Sequence, residues 1–328
     1  MDGIDLAIDR LSFAIQRHHH FDHSIGWIGG GMKTVGGLGD DPLIAQLCGG
    51  PAVSDEVLVG RGDDCAVIRD GRTLTLLKTD AVVEGIHFLP NAPAKKVGWK
   101  AVARVLSDFA AMGGEPGELL ITIALSRETP LRWVKELYRG MSQCLELHGG
   151  VIVGGETTSL PAGAPTMISV AGRGKVTKRR LVTRSGGKAG DSVFVTGRLG
   201  GSIKGKHLSF TPRLEEVAWL TENFRLRAMM DLSDGLAKDL PRLAKMSGCG
   251  FQIERDQIPR SPGSTIDEAL SDGEDYELLF TISARSADRL EKEWSDRFPK
   301  LPLTRIGSLT TEESDSLSGG WDHFTSPS

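Results

Sequence analysis

Carboxylates set beside glycine or small residues recur along this 328-residue chain. They stand at Gly62-Asp63-Asp64, Thr79-Asp80, Ser107-Asp108, Gly154-Gly155-Glu156, Asp231-Leu232-Ser233-Asp234-Gly235 and Asp272-Gly273-Glu274-Asp275. Each lies at the end of an apolar run, as expected when several elements deliver acids to one shared site. So many negative charges in one place need cations between them. Hard oxygen donors select Mg²⁺ over softer metals, and Mg²⁺ usually arrives with phosphates. The pattern therefore points to Mg²⁺-polyphosphate chemistry.

The elements that must position these acids are legible from periodicity. Thr73 to Leu77 reads as a strand that delivers Thr79-Asp80 at its end. Val97, Ala101, Val102, Val105, Phe109 and Met112 recur at helical spacing, and Gly113-Gly114 ends the helix that carries Asp108 in its last turn. A carboxylate there opposes the helix dipole, a cost that a bound cation would offset. Thr129-Pro130 opens a second helix as N-cap and first position, with Leu131, Val134, Leu137, Met141 and Leu145 as its buried stripe. Val151-Ile152-Val153 then reads as a short buried strand, and 166–176 as an alternating one. After a basic, glycine-rich stretch at 179–190, strands are expected at 192–196, 251–253 and 278–282. Helices are expected after Gly235 as far as Met246, at 266–270 and at 284–298. Alternating strands and helices in both halves give an α/β or α+β protein. We divide it into an extension at 1–38, a first domain at 39–180 and a second at 181–328.

Bulk composition excludes several classes. The residues are 39% hydrophobic and 25% charged, in the range of soluble globular domains, and net charge is −4. A nucleic-acid partner would call for a basic balance. No apolar run is long enough for a transmembrane helix, and the N-terminus lacks the apolar core of a secretory signal. The four cysteines, Cys48, Cys65, Cys144 and Cys249, are scattered. They read as buried thiols in a reducing cytoplasm rather than as disulfides or a zinc site. His18, His19, His20 and His23 offer metal-ligand chemistry, but the glycines that follow favour a mobile leader. Gly200-x4-Gly205-Lys206 approaches a phosphate-binding loop but ends in His207 where a hydroxyl on Mg²⁺ is needed, so Lys206 reads as a surface residue. There is no dinucleotide-binding glycine pattern after the first strand and no G-x-S-x-G or H-E-x-x-H motif.

Taken in order, the acidic runs resemble those of thiamine-monophosphate kinase, together with Val83-Glu84-Gly85-Ile86-His87-Phe88, Thr183-Arg184-Ser185-Gly186, Gly273-Glu274-Asp275-Tyr276-Glu277-Leu278 and Gly320-Trp321-Asp322-His323-Phe324. That family shares a superfamily with aminoimidazole ribonucleotide synthetase and selenophosphate synthetase. The resemblance runs from about residue 40 to the end. It implies the two-domain synthetase-superfamily fold: an N-terminal α/β domain that dimerises through its sheet and a C-terminal α/β domain. It also implies ATP and several Mg²⁺ ions in the cleft, a homodimer, and conversion of ATP plus thiamine monophosphate to ADP plus thiamine diphosphate.

By position, Asp64, Thr79, Asp80, Asp108, Glu156, Asp231 and Asp234 resemble the family's Mg²⁺ ligands. Gly155, Arg184 and Ser233 resemble its nucleotide contacts, and His87, Glu274 and Trp321 its contacts to the thiamine phosphate. No general base is required, because a phosphate monoester is largely dianionic at neutral pH. Trp321 suits a thiazolium ring, since indole faces attract cations. Asp63 neighbours the site as an orienting residue. Glu84, Asp239, Asp275 and Glu277 read as structural or solvated carboxylates. The chain departs from the family's pattern at Glu156, where aspartate is usual; at Lys78, where a small hydroxyl residue is usual; at Val105, where asparagine is usual; and in a shortened stretch at 205–212. A lysine at 78 could compete with a cation. Two alternatives follow: another ATP-dependent superfamily enzyme acting on a different small phosphate or carboxylate, and a nucleotide-binding homologue without turnover.

Overall fold

The computed structural model describes residues 34–47, 54–71, 73–312, 315–324 and 326. Residues 1–33 of the 1–38 extension, the histidine cluster among them, and Cys48 lie outside the described residues. A first sheet is built from β1 (Val57–Val59), β2 (Ala66–Asp70), β3 (Thr73–Val83), β4 (Glu115–Ser126), β5 (Val151–Leu160) and β6 (Met167–Val176). Their order is β1-β2-β3-β6-β4-β5. Neighbours are antiparallel except β4 and β5, which run parallel around an intervening helix. With α1 (Asp40–Leu47) ahead of the sheet, its helices are α2 (Ala94–Ala111) and α3 (Leu131–His148). α2 lays Val97, Val102, Val105 and Phe109 on Leu76, Leu119, Ile121 and Val170 of the sheet.

α2 and α3 are in backbone contact. A Cβ at Gly98 would stand 1.9 Å from the Leu137 carbonyl, and one at Gly140 would stand 1.8 Å from that of Lys95. No side chain fits there, so these two glycines set the depth at which α2 lies over the sheet. α3 starts later than the Thr129-Pro130 signal suggests. Pro130 itself occupies the cap position, without a side-chain cap, and Leu131 points to solvent. β5 is longer and more exposed than the expected short buried strand. It is an edge strand paired only with β4, and Val151 and Val153 are more than half exposed. The β4 strand itself was not foreseen.

The second sheet contains β7 (Asp191–Thr196), β8 (Leu226–Asp231), β9 (Gly250–Ile253), β10 (Leu278–Ser283) and β11 (Leu303–Thr310). It is antiparallel throughout, in the order β8-β10-β7-β11-β9. Helices cover both faces: α4 (Leu214–Asn223), α5 (Leu236–Met246), α6 (Ile266–Ser271) and α7 (Ala284–Arg297). Strand alternation sends Val193, Val195 and Met230 into the core shared with α5, and Phe194, Met229 and Phe280 into the core shared with α4 and α7. Ala110 of α2 joins this second core and ties the two units together. Among the described residues no helix is long and apolar enough to cross a membrane.

Candidate functional site

Three acids meet where the two units face each other. Asp64 comes from the turn before β2, Asp108 from the last turn of α2 and Asp231 from the end of β8. Carboxylate oxygens of all three lie within 4.8 Å of one another, and all three residues are buried. Ser107 donates to Asp231 at 2.5 Å. Burial and the charge of Asp64 push Asp231 up to about 7. Burial pushes Asp108 well above the usual carboxylate range, against the pull of Lys78. Asp64 Oδ2 is buried and accepts no hydrogen bond. An orphaned carboxylate oxygen among two further buried acids is an incomplete arrangement that a hard cation would complete, so the donor set fits Mg²⁺.

Basic side chains surround this cluster. Arg184 Nη2 donates to Asp64 at 2.5 Å, and its Nε is buried without a partner. Lys78 Nζ donates to Asp108 at 2.8 Å. The buried Arg104 brings its Nε to 3.1 Å from Asp80, too poorly aligned for a hydrogen bond, while its Nη1 donates to the Ala81 carbonyl. Asp63 accepts the backbone N–H groups of Arg184 and Asp64, and so orders the loops rather than facing the cluster. Burial and neighbouring Asp64 raise it to about 6.

Beside the cluster lies a cavity of about 460 Å³ whose walls include His87, Ser233, Asp234, Glu274, Trp321 and Arg104. The loop after β8 forms one wall, and Asp239 shapes it by accepting the N–H groups of Ser233 and Asp234. Asp234 is held by Arg242 at 2.6 Å and receives the Trp321 N–H on its carbonyl. Glu274 adopts a left-handed backbone (φ 53) and donates its N–H to Ser233. Its carboxylate is gripped by fully buried Lys100 at 2.7 Å and by His207 at 3.0 Å. Burial would raise this acid, but the His207 hydrogen bond and the Lys100 and Arg104 charges bring it down to about 2. Lys100, lowered by burial to about 8, also donates to the His87 carbonyl. His87 Nδ1 accepts the Val83 N–H, and burial with nearby Arg104 lowers this ring to about 3.

Four expected metal ligands lie outside the three-acid cluster: Asp80 faces Arg104 and Asp234 is held by Arg242, while Thr79 and Glu156 point away altogether. Successive side chains on a strand point to opposite faces. Lys78 and Asp80 share the inner face of β3 with Leu76, so Thr79 faces outward, where its hydroxyl meets Ser169. Glu156 pairs in register with Thr122 on the same outer face, opposite buried Ile121 and Ile123, and is exposed on β5 together with Gly155. The four acids read as structural prove to be partnered: Glu84 with the Thr166 N–H, Asp239 as above, Asp275 with the Gly200 N–H, and Glu277 with Thr196 and the Arg213 fork. Lys206 is not a plain surface residue, since it reaches Asp275 and Glu277. Two short 3-10 turns occupy 202–208, so no phosphate-binding loop opens a long helix there. Lys100, Arg104 and His207 were missed. The signal for the first two was available, because Lys100, Arg104 and Asp108 recur every four residues beside the apolar stripe of α2.

Most of the chain is similar to known proteins of one family. The family model for the N-terminal domain of AIR synthase related proteins matches residues 62–176, and that for their C-terminal domain matches 172–319. The thiamine-monophosphate kinase of Rhodopirellula baltica is 33% identical over 290 residues, 82% of this chain and 89% of the relative. That of Salmonella typhimurium is 31% identical over 313 residues, 83% of this chain and 94% of the relative. The solved complex of AaThiL with AMPPCP and TMP superposes with a TM-score of 0.75 at 30% identity, covering 90% of this chain and all of that one. The thiamine-monophosphate kinase of Stenotrophomonas maltophilia gives 0.68 at 29% identity, covering 80% of this chain and 92% of that one. The chain belongs to the thiamine-monophosphate kinase family of the AIR synthase related proteins.

Proposed function

We propose that this chain transfers the γ-phosphoryl group of ATP directly to the phosphate of thiamine monophosphate, giving ADP and thiamine diphosphate. The observation that carries the reading is the convergence of three buried acids, one with an unsatisfied oxygen, beside a cavity walled by His87, Glu274 and Trp321. Asp64 and Asp231 would hold Mg²⁺, with Asp108 closing the cluster through its ion pair with Lys78 and with Asp80 and Asp234 at the margins. Metal held there would supply charge neutralisation for the phosphates. Two unit charges of like sign at 4 Å repel by about 4 kcal/mol at an effective dielectric of 20, so this neutralisation is the main task.

The protein's own groups do the rest. Arg184, anchored by Asp64, has a spare Nε for a nucleotide phosphate, and Ser233 stands on the cavity wall in the loop after β8. Glu274 keeps its negative charge and, with the indole of Trp321, faces the cationic thiazolium end of the acceptor. The neutral ring of His87 lines the same wall. No residue has to remove a proton, because the attacking phosphate oxygen already bears charge. We also assign this activity to the cytoplasm and to a homodimer. Exposed Leu77, Leu120, Val153 and Met167 on the outer face of the first sheet are the surface a second copy would cover.

ADP release from ATP and Mg²⁺ with thiamine monophosphate tests the reading, with thiamine and an aminoimidazole ribonucleotide precursor as comparators. Turnover only with thiamine monophosphate is expected. One observation favours a nucleotide binder without turnover, namely Lys78 seated on Asp108. ATP binding with no ADP release on any acceptor would establish that alternative.

A further inference from the structure

We propose that Lys78 is a resident cation of the carboxylate cluster: its ammonium occupies Asp108 in place of a divalent ion and confines metal binding to the Asp64–Asp231 side. The proposal rests on the metal-assisted reading above.

The placement follows from the strand. Lys78 lies between Leu76 and Asp80 on the inner face of β3, aimed at α2. Its strand partner on β6 is Gly172. A Cβ on Gly172 would lie 2.9 Å from both the Val105 and Phe109 side chains, so apolar groups fill the space beside the lysine stem. The ammonium is thereby directed to Asp108 Oδ1 at 2.8 Å, its hydrogen-bond partner among the described residues. The neighbouring inward acid, Asp80, is already faced by Arg104 at 3.1 Å.

This position conflicts with a metal ion on the same oxygen. Mg²⁺ sits about 2.1 Å from its ligands, so an ion on Asp108 Oδ1 would lie within about 5 Å of the ammonium with little water between them. Two cations at that separation, in a buried setting, repel strongly. The other side of the cluster differs. Asp64 gives Oδ1 to the Arg184 guanidinium but keeps Oδ2 without a partner, and Asp231 engages a neutral hydroxyl through Oδ2. The cluster is therefore asymmetric: Lys78 fills Asp108 Oδ1, while Oδ2 of Asp64 and the Asp231 carboxylate are left for exchangeable metal.

The test is a count of bound ions. Mn²⁺ is titrated into the full chain without nucleotide, and free Mn²⁺ is followed by electron paramagnetic resonance. Lys78→Ser and the near-isosteric Lys78→Gln should each bind one more Mn²⁺ per chain than the parent, or bind at least tenfold more tightly. Lys78→Arg should match the parent. Equal number and affinity in the parent and Lys78→Gln would overturn the proposal. If neither neutral variant folds by circular dichroism, Asp108→Asn in the parent decides: the expected Mn²⁺ count is unchanged, and loss of an ion refutes the idea. Parental ADP release with thiamine monophosphate, but no gain on Lys78→Gln, sinks this inference alone. A gain of Mn²⁺ in a chain without turnover sinks the kinase reading and leaves this one standing.

Discussion

Removing the Lys100 ammonium tests whether the acceptor wall is held together by a buried ion pair. Lys100 has no exposed side-chain surface and contacts both Glu274 oxygens, at 2.7 and 2.8 Å, as well as the His87 carbonyl. It therefore links α2 of the first unit to the 272–277 segment of the second. Breaking a buried pair by deleting one partner costs about 3–5 kcal/mol. Glu274 is one-fifth exposed and keeps His207, so the lower end applies to Lys100→Met. At about 2–4 °C per kcal/mol, 3 kcal/mol lowers Tm by roughly 6–12 °C. Glu274→Gln should cost less, because Lys100 can release its proton to solvent and remain buried as a neutral amine when its carboxylate partner is gone. In the double variant the two losses should overlap by about 0.5–3 kcal/mol, as expected for residues in contact. Differential scanning calorimetry on the four proteins measures this overlap. Strictly additive losses would refute the pairing, and a Tm shift under 2 °C for Lys100→Met would refute its structural role. Kinetically, Lys100→Met should raise KM for thiamine monophosphate more than KM for ATP.

Three further outcomes follow from the geometry. Trp321→Ala should raise KM for thiamine monophosphate about tenfold, the equivalent of a desolvated cation–π contact, with KM for ATP unchanged; equal effects on both would take the indole off the acceptor. Glu156→Gln should retain at least half of parental kcat, since its side chain faces away from the cluster, and loss of activity with an intact fold would place Glu156 in the site after all. The third outcome concerns pH. Burial raises Asp231 and Asp275 to about 7 and Asp239 to about 8, so the folded chain holds protons that the unfolded chain has already released. Between pH 6.5 and 8 these three acids outweigh His87, which is neutral in the folded chain but still loses its proton in the unfolded one, so metal-free Tm should fall as pH rises, and Mg²⁺ should reduce that slope. A metal-free Tm that climbs over this window contradicts the burial-driven shifts.

The parts of the fold legible in the sequence are those with a clean period. The stripe of α2 and the strand ending at Asp80 are examples, and both carry site residues. β4 went unread because Pro116 and Gly117 prolong the break made by Gly113-Gly114, although the run from Leu119 to Leu125 is strand-like. Val151-Ile152-Val153 was read as buried because an apolar run looks the same in a core as on a sheet edge whose partner is another molecule or solvent. At the site, acids at the ends of elements converge, as Asp64, Asp108 and Asp231 do. Adjacent residues within one strand cannot converge, and this separates Thr79 from Asp80. The counter-charges were harder to foresee. A lysine inside a helix pattern usually reads as solvated, and only the contact with the distant Glu274 shows Lys100 to be buried.

The clasp around α5 has a consequence for how the protein is made. Asp40 donates its N–H to Asp322 and accepts that of His323, while Lys238 reaches Asp40, Asp322 and the Trp321 carbonyl. These partners are separated by 282 and 283 positions along the chain. On a ribosome, the first sheet and most of the second can assemble while synthesis continues, because domains fold as units from the N-terminus. The acceptor wall cannot, since Trp321 and His323 emerge only after the last strand of the second sheet. A nascent or C-terminally trimmed chain would thus hold a nearly complete fold and its acidic cluster while lacking the surface proposed to recognise thiamine monophosphate. Competence for the acceptor would arrive as a late, single step rather than growing with the chain.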